Sequence, residues 1–246
     1  MNRTEGFRAS GLRKSYRGRA AVDGIDLSVE QGEVFGLLGP NGAGKTTTVE
    51  LLAGLRRADA GTVSVLGLDP VRDRRRVRQV LGVQLQSAYL HHSLTVRELI
   101  GLYRSFYPSP RSADECLDLV ELQDKAATRF EKLSGGQQQR LSVALALVGR
   151  PRAVILDEIT TGLDPSARRR IWSTIEHLRD EGVTVLMVSH AMDEVERLCD
   201  RIALMQSGRI IASGTPDSVT ADAETDDLEG AFLALTGHTV DEGAEA

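Results

Sequence analysis

The stretch EVFGLLGPNGAGKTTTVELLAGL (33–55) constrains the fold more than any other part of the chain. A strand-like apolar run enters a glycine-rich turn, and a helical pattern leaves it. Within it, residues 39–47 fit G-x-x-x-x-G-K-[ST] in the strand-then-helix context that a phosphate-binding loop requires. Gly39, Gly42 and Gly44 let the backbone bend so that successive N–H groups point inward at phosphate oxygens. Pro40, Asn41 and Ala43 complete that loop, and the helix beginning near Thr46 and Thr47 adds its positive end. Lys45 is expected to reach the β- and γ-phosphates of a nucleotide, and the Thr46 hydroxyl to ligate Mg²⁺. A chance glycine turn is the competing reading. It is disfavoured because the chain has lysine only at positions 14, 45, 125 and 132, and one of them falls where the motif needs it.

The remaining patterns predict an α/β protein. TVSVLG (62–67), AVILDE (153–158) and VTVLMVSH (183–190) read as further buried strands, and RIALMQSGRIIASG (201–214) as a hairpin across Ser207-Gly208. Strands alternating with helices argue for a mostly parallel sheet covered on both faces. From about Thr95 to Gly149 the periodicity is helical throughout, which predicts a helical lobe inserted into the core. LEGAFLALTG reads as one short amphipathic helix, and the acidic, small-residue stretches around it are expected to fray. RDRRRVR (72–78) could hold an anion, but a solvated helix face is the better reading where arginine is abundant everywhere.

Composition removes several classes. A net charge of −5 does not favour nucleic acid. Cys116 and Cys199 stand in no metal spacing and read as buried small hydrophobes. No signal peptide and no apolar run of membrane-spanning length is visible, so a cytoplasmic chain is expected, reaching a membrane only through a partner.

Two further features carry chemistry. Asp157 and Glu158 end an apolar run, at the strand edge where open α/β sheets bind ligands. Asp157 is placed to hold Mg²⁺ through water, and Glu158, pointing to the other side of an extended chain, to take a proton from an attacking water. His190 ends another core strand and is a credible partner for a γ-phosphate.

With LSGGQ (133–137), GLD (162–164) and SH (189–190), in this order and spacing, the chain resembles the ATP-binding-cassette (ABC) transporter ATPases over about residues 7–216. The resemblance implies a P-loop NTPase core, an N-terminal antiparallel β subdomain, a helical lobe at about 95–149, and an acidic extension, 217–246, with one helix. It implies ATP and Mg²⁺. Tyr16 falls where the family stacks an aromatic on adenine. Gln86 matches the glutamine that senses Mg²⁺ and the attacking water; Gln84 is a rival for that register, but the LTVREL that follows favours Gln86. Asp157 matches the metal-holding aspartate, Glu158 the catalytic glutamate, Asp164 a nucleotide-contacting loop and His190 the switch histidine. Ser134, Gly135, Gly136 and Gln137 match the signature that caps the γ-phosphate bound on a second, facing subunit. Two ATP molecules would thus join a dimer of identical or related cassettes. One departure stands out: the family usually has proline after the catalytic glutamate, and here Ile159 is expected to leave the loop freer.

The general style resembles ATPases that pair with ABC-2 type permeases, including the daunorubicin-resistance type of drug exporter. That implies a membrane permease partner, a position at the inner face of the cell membrane, and export of a drug, antibiotic or lipid-like molecule. An importer subunit shares every catalytic feature. An ABC-type ATPase acting on DNA or ribosomes is the reading from another class, weakened by the single cassette and the absence of heptads or cysteine clusters.

Overall fold

The computed structural model describes residues 4–85 and 90–237; Gln86 lies outside the described residues. Glu5–Tyr16 (β1) and Arg19–Glu30 (β2) form an antiparallel hairpin. Val34–Leu38 (β3) opens a second sheet, Lys45–Leu52 (α1) follows it, and Ala60–Val65 (β4) returns to pair antiparallel with β1. Arg74–Val80 (α2) leads into Leu81–Gln84 (β5). Three helices come next, Val96–Arg104 (α3), Ala113–Leu119 (α4) and Gly135–Leu147 (α5). The chain continues through Ala153–Asp157 (β6), Pro165–Asp180 (α6), Thr184–Val188 (β7) and Met192–Leu198 (α7). Arg201–Gln206 (β8) and Arg209–Gly214 (β9) form a hairpin, followed by Pro216–Asp222 (α8) and Leu228–Thr236 (α9).

The fold is α/β, with one sheet in the order β5-β6-β7-β3-β8-β9 and a three-stranded antiparallel sheet, β2-β1-β4. In the larger sheet only β9 runs antiparallel. Alternation along its strands separates two cores. Val34, Leu156, Val185 and Leu204 face a core shared with α5 to α9, whereas Phe35, Ile155, Leu186 and Met205 face the antiparallel sheet and α1. Strands β3, β6 and β7 are buried on both faces, which is why they read as continuous apolar runs. Helices α3, α4 and α5 gather around a third core that includes Ile100, Leu117 and Leu141.

Two expectations need correction. TVSVLG is not a buried strand: β4 edges the antiparallel sheet and only Val65 in it is buried. An antiparallel edge and a half-covered parallel strand share the same short apolar pattern. Among the described residues, two helices, α8 and α9, follow Thr215 where the sequence predicts one. ADAETDD itself is exposed or half-buried, but on either side of it Val219 of α8 and Leu228, Ala231 and Phe232 of α9 are buried in the larger core. RDRRRVR is a solvated face, with Val77 the only buried residue of α2. Cys116 and Cys199 are free and buried.

Candidate nucleotide site

The parallel strands β3, β6 and β7 deliver their C-terminal ends to one edge, and the turn after β3 is built for close approach. Gly44 has φ +103°, and a Cβ there would lie 2.2 Å from the Ala21 carbonyl oxygen; at Gly39, φ +150°, it would lie 2.3 Å from that of Met205. Gly42 also has positive φ, but nothing lies within 4 Å of the position its Cβ would take. The turn is therefore closed on its protein side and open at Gly42. The Gly208 N–H donates to the Ala43 carbonyl at 2.9 Å, tying the β8–β9 turn to the back of the loop.

Lys45 is buried, and its Nζ donates to the carbonyl oxygens of Gly39 at 2.6 Å and Pro40 at 3.1 Å. The lysine is thus folded into the loop that would hold a phosphate. Burial pushes its ammonium below the ordinary lysine range, and the carboxylates of Glu158 and Asp157 pull it back. Strands β3, β7 and β6 are parallel neighbours, so the loop lysine and both strand-end acids lie at the same edge of the sheet. Thr46 is exposed on the first turn of α1, Thr47 half-buried.

Asp157 closes β6, fully buried, and its N–H donates to Gln84 Oε1 at 3.1 Å. Gln84 belongs to the site's inner wall, which leaves the position expected for Gln86 to the stretch not described. Glu158 does not continue the extended strand. It has φ +49°, in the left-handed region, so the chain turns sharply as it leaves the sheet. Its N–H still donates to the Val188 carbonyl at 3.0 Å, and its Oε1 lies 4.0 Å from His190 Nδ1. A non-glycine residue held in this region at a site of charge is a known place to store backbone strain. Ile159 does not free the loop; its side chain is 1 % exposed and packed into the larger core.

Tyr16 ends β1, paired with Arg19 of β2, the strand whose Ala21 carbonyl backs Gly44. Its ring is 38 % exposed, with Lys14 Nζ 5.7 Å and the Arg56 guanidinium 5.5 Å from its centroid. Ser134, Gly135, Gly136 and Gln137 are not a loose turn but the N-cap and first turn of α5. The Gln137 N–H donates to Ser134 Oγ at 3.3 Å and the Ser134 N–H to Gln137 Oε1 at 3.0 Å. A Cβ on Gly136 would touch Leu163 and Ala167 at 3.4 and 3.5 Å, whereas Gly135 faces open space. Leu133 packs in the helical core and Ala43 of the phosphate loop in another, so the two motifs belong to different parts of the fold. Asp164 caps α6, its Oδ1 accepting from the N–H groups of Ser166 at 2.9 Å and Ala167 at 3.0 Å. Those bonds, Ala167 first, hold its carboxyl below the usual range.

Among the described residues, no three His, Cys, Asp or Glu side chains are grouped to cage a metal. The available set, the Thr46 hydroxyl and the Asp157 carboxylate, suits Mg²⁺, which binds through one or two protein oxygens together with substrate phosphates.

A family model described as ABC transporter matches residues 22–161, more than half of the chain. The chain belongs to the ABC transporter family. This ABC cassette is 44 % identical over 212 residues to the Nod factor export ATP-binding protein I of Neorhizobium galegae, covering 84 % of the chain and 61 % of that protein. The protein of the same name from Paraburkholderia xenovorans (strain LB400) is 43 % identical over 218 residues, covering 85 % and 71 %. The cassette thus spans less than two thirds of the first relative's length. Among solved structures it resembles a dimeric ATP-binding cassette in a post-hydrolysis state bound to ADP and Pi, with a TM-score of 0.78, 26 % identity and coverage of 85 % of this chain and 98 % of that one. An ATP-binding subunit of an ABC transporter, 24 % identical with a TM-score of 0.80 and 96 % coverage of both chains, shows the same fold.

Sequence motifs pointed to the loop residues, the two strand-end acids and His190, since each lies within a short local pattern. They did not reach Glu194 of α7, a buried acid behind the site. A lone glutamate in a helix leaves no sequence signal; its burial depends on contacts from three other segments.

Proposed function

We propose that this cassette binds and hydrolyses ATP and powers export of a small drug, antibiotic or lipid-like molecule through a separate ABC-2 type permease. The observation that carries the reading is the meeting of Lys45, Asp157, Glu158 and His190 at one sheet edge behind a glycine loop. On phosphate binding, the loop N–H groups and Lys45 replace the internal carbonyl contacts of the lysine with contacts to the β- and γ-phosphates. Thr46 and Asp157 would hold a Mg²⁺, whose charge offsets that of the phosphates. Tyr16 stacks on the adenine. Glu158 accepts the proton of a water whose oxygen bonds to the γ-phosphorus while the bond to the ADP oxygen breaks. His190 holds the γ-phosphate, and Gln86 is assigned to the water and metal. Ser134, Gly135, Gly136, Gln137 and Asp164 serve nucleotide bound on the facing cassette, so that ATP joins two copies.

Among the described residues, no helix is long and apolar enough to cross a membrane. A position on the inner face of the membrane would therefore come from the permease. The relatives' names, which specify export, favour that direction over import. The test replaces Glu158 with Gln. Wild-type protein should release phosphate from ATP with Mg²⁺, while E158Q should retain ATP and run as a dimer in light scattering. An E158Q variant that hydrolyses normally, or stays monomeric with ATP and Mg²⁺, rejects the reading.

A further inference from the structure

Glu194 is 1 % exposed, an acid held inside the fold. Burial pushes its carboxyl up, and three donors oppose that, Ser189 first, then Thr160 and Trp172. Ser189 Oγ and Thr160 Oγ1 donate to Oε2 at 2.6 and 2.9 Å, and Trp172 Nε1 donates to Oε1 at 3.1 Å. A buried carboxylate is tolerated only when so satisfied.

The three donors come from three different segments of the site. Thr160 lies two residues after Glu158. Ser189 immediately precedes His190, and its hydroxyl also accepts the Ala191 N–H at 3.1 Å, so it spans the His190 backbone. Trp172 lies on α6, the helix that Asp164 caps. One carboxylate therefore fastens the loop after Glu158, the strand end before His190 and the helix that Asp164 caps.

We propose that Glu194 is a positioning residue for ATP hydrolysis, setting the spacing of Glu158 and His190 through Thr160 and Ser189. The inference rests on the roles given to Glu158 and His190 above. A glutamine has the same shape but only one accepting oxygen, so it turns an amide N–H₂ toward one set of donors. Outer contacts of this kind usually change activity ten- to a hundredfold when removed.

The experiment measures ATP turnover of wild type, E194Q, T160V, S189A and the E194Q/S189A double variant. E194Q should lower kcat about ten- to a hundredfold with KM for ATP changed by less than about threefold. S189A should add little on top of E194Q, because both break one network. Trp172 is the chain's single tryptophan, so its emission reads the network directly. The emission change on adding ATP and Mg²⁺ should shrink in S189A, which leaves the indole contact itself intact. Wild-type kcat in E194Q, or fully additive losses in the double variant, overturns the proposal. If E194Q does not fold, T160V and S189A decide, since each keeps the carboxylate; wild-type kcat in both overturns it equally. A wild type without ATPase activity brings down the functional reading and this proposal together, whereas active wild type with unaffected variants brings down this proposal alone.

Discussion

Ser134 and Gln137 hold each other across the first turn of α5, each donating a backbone N–H to the other's side chain. The serine hydroxyl assigned to a facing nucleotide is thus already the cap of its own helix. In the proposed dimer a phosphate would compete with this bond or share it, giving position 134 two separable tasks.

S134A should destabilise the cassette by about 1 kcal/mol through loss of the cap. S134D keeps a good cap but sets a negative charge where the phosphate arrives. Its melting temperature should stay near that of wild type, while ATP-dependent dimerisation is lost. Calorimetry and light scattering on the two variants check the separation.

The loop glycines should differ in their response to one added methyl group. G42A meets open space and carries only the left-handed penalty of roughly 1–2 kcal/mol. G44A adds a collision with the Ala21 carbonyl, from which its Cβ would lie 2.2 Å, so it should unfold at clearly lower urea than G42A. Equal midpoints for the two would contradict the packing of the loop against β2.

Ile159 should behave as a core residue. I159A should cost about 2–5 kcal/mol and I159V about 0.5–1.5 kcal/mol, as for other buried truncations. Urea unfolding without nucleotide measures both, apart from any effect on catalysis.

Acid should weaken the α4 end of the helical lobe through Glu115. The Ser112 N–H, followed by the Arg150 guanidinium and the Ser112 hydroxyl, holds its carboxyl down at about 2. A carboxyl depressed on folding contributes stability above its unfolded value, and that contribution is lost as pH falls from about 4.5 toward 2. The difference in melting temperature between wild type and E115Q should therefore shrink across this window.

The phosphate loop, the signature and the strand-end acids were legible because each is a short local pattern with its own physical logic. The buried runs of β3, β6 and β7 were legible because both faces of each strand are covered. Less local features were not. Nothing within VQLQ says that Gln84 turns inward to the backbone of Asp157, 73 positions away. The apolar residues of LDEIT do not reveal that Glu158 leaves the sheet with positive φ while Ile159 is driven into the core. Val219 and Phe232 likewise join a core whose other members come largely from segments remote in sequence, which no window around either residue contains.

That last burial limits how the molecule can be trimmed. Gln206 Nε2 donates to the Thr236 carbonyl at 2.6 Å, so the final strand pair of the sheet and α9 are fastened together. A fragment ending at the β8–β9 hairpin would keep every nucleotide-binding motif yet strip Val219, Leu228, Ala231 and Phe232 from the larger core. Such a piece would be sticky and short-lived, and a tag or fusion joint belongs beyond Gly237 rather than at the edge of the recognisable motifs.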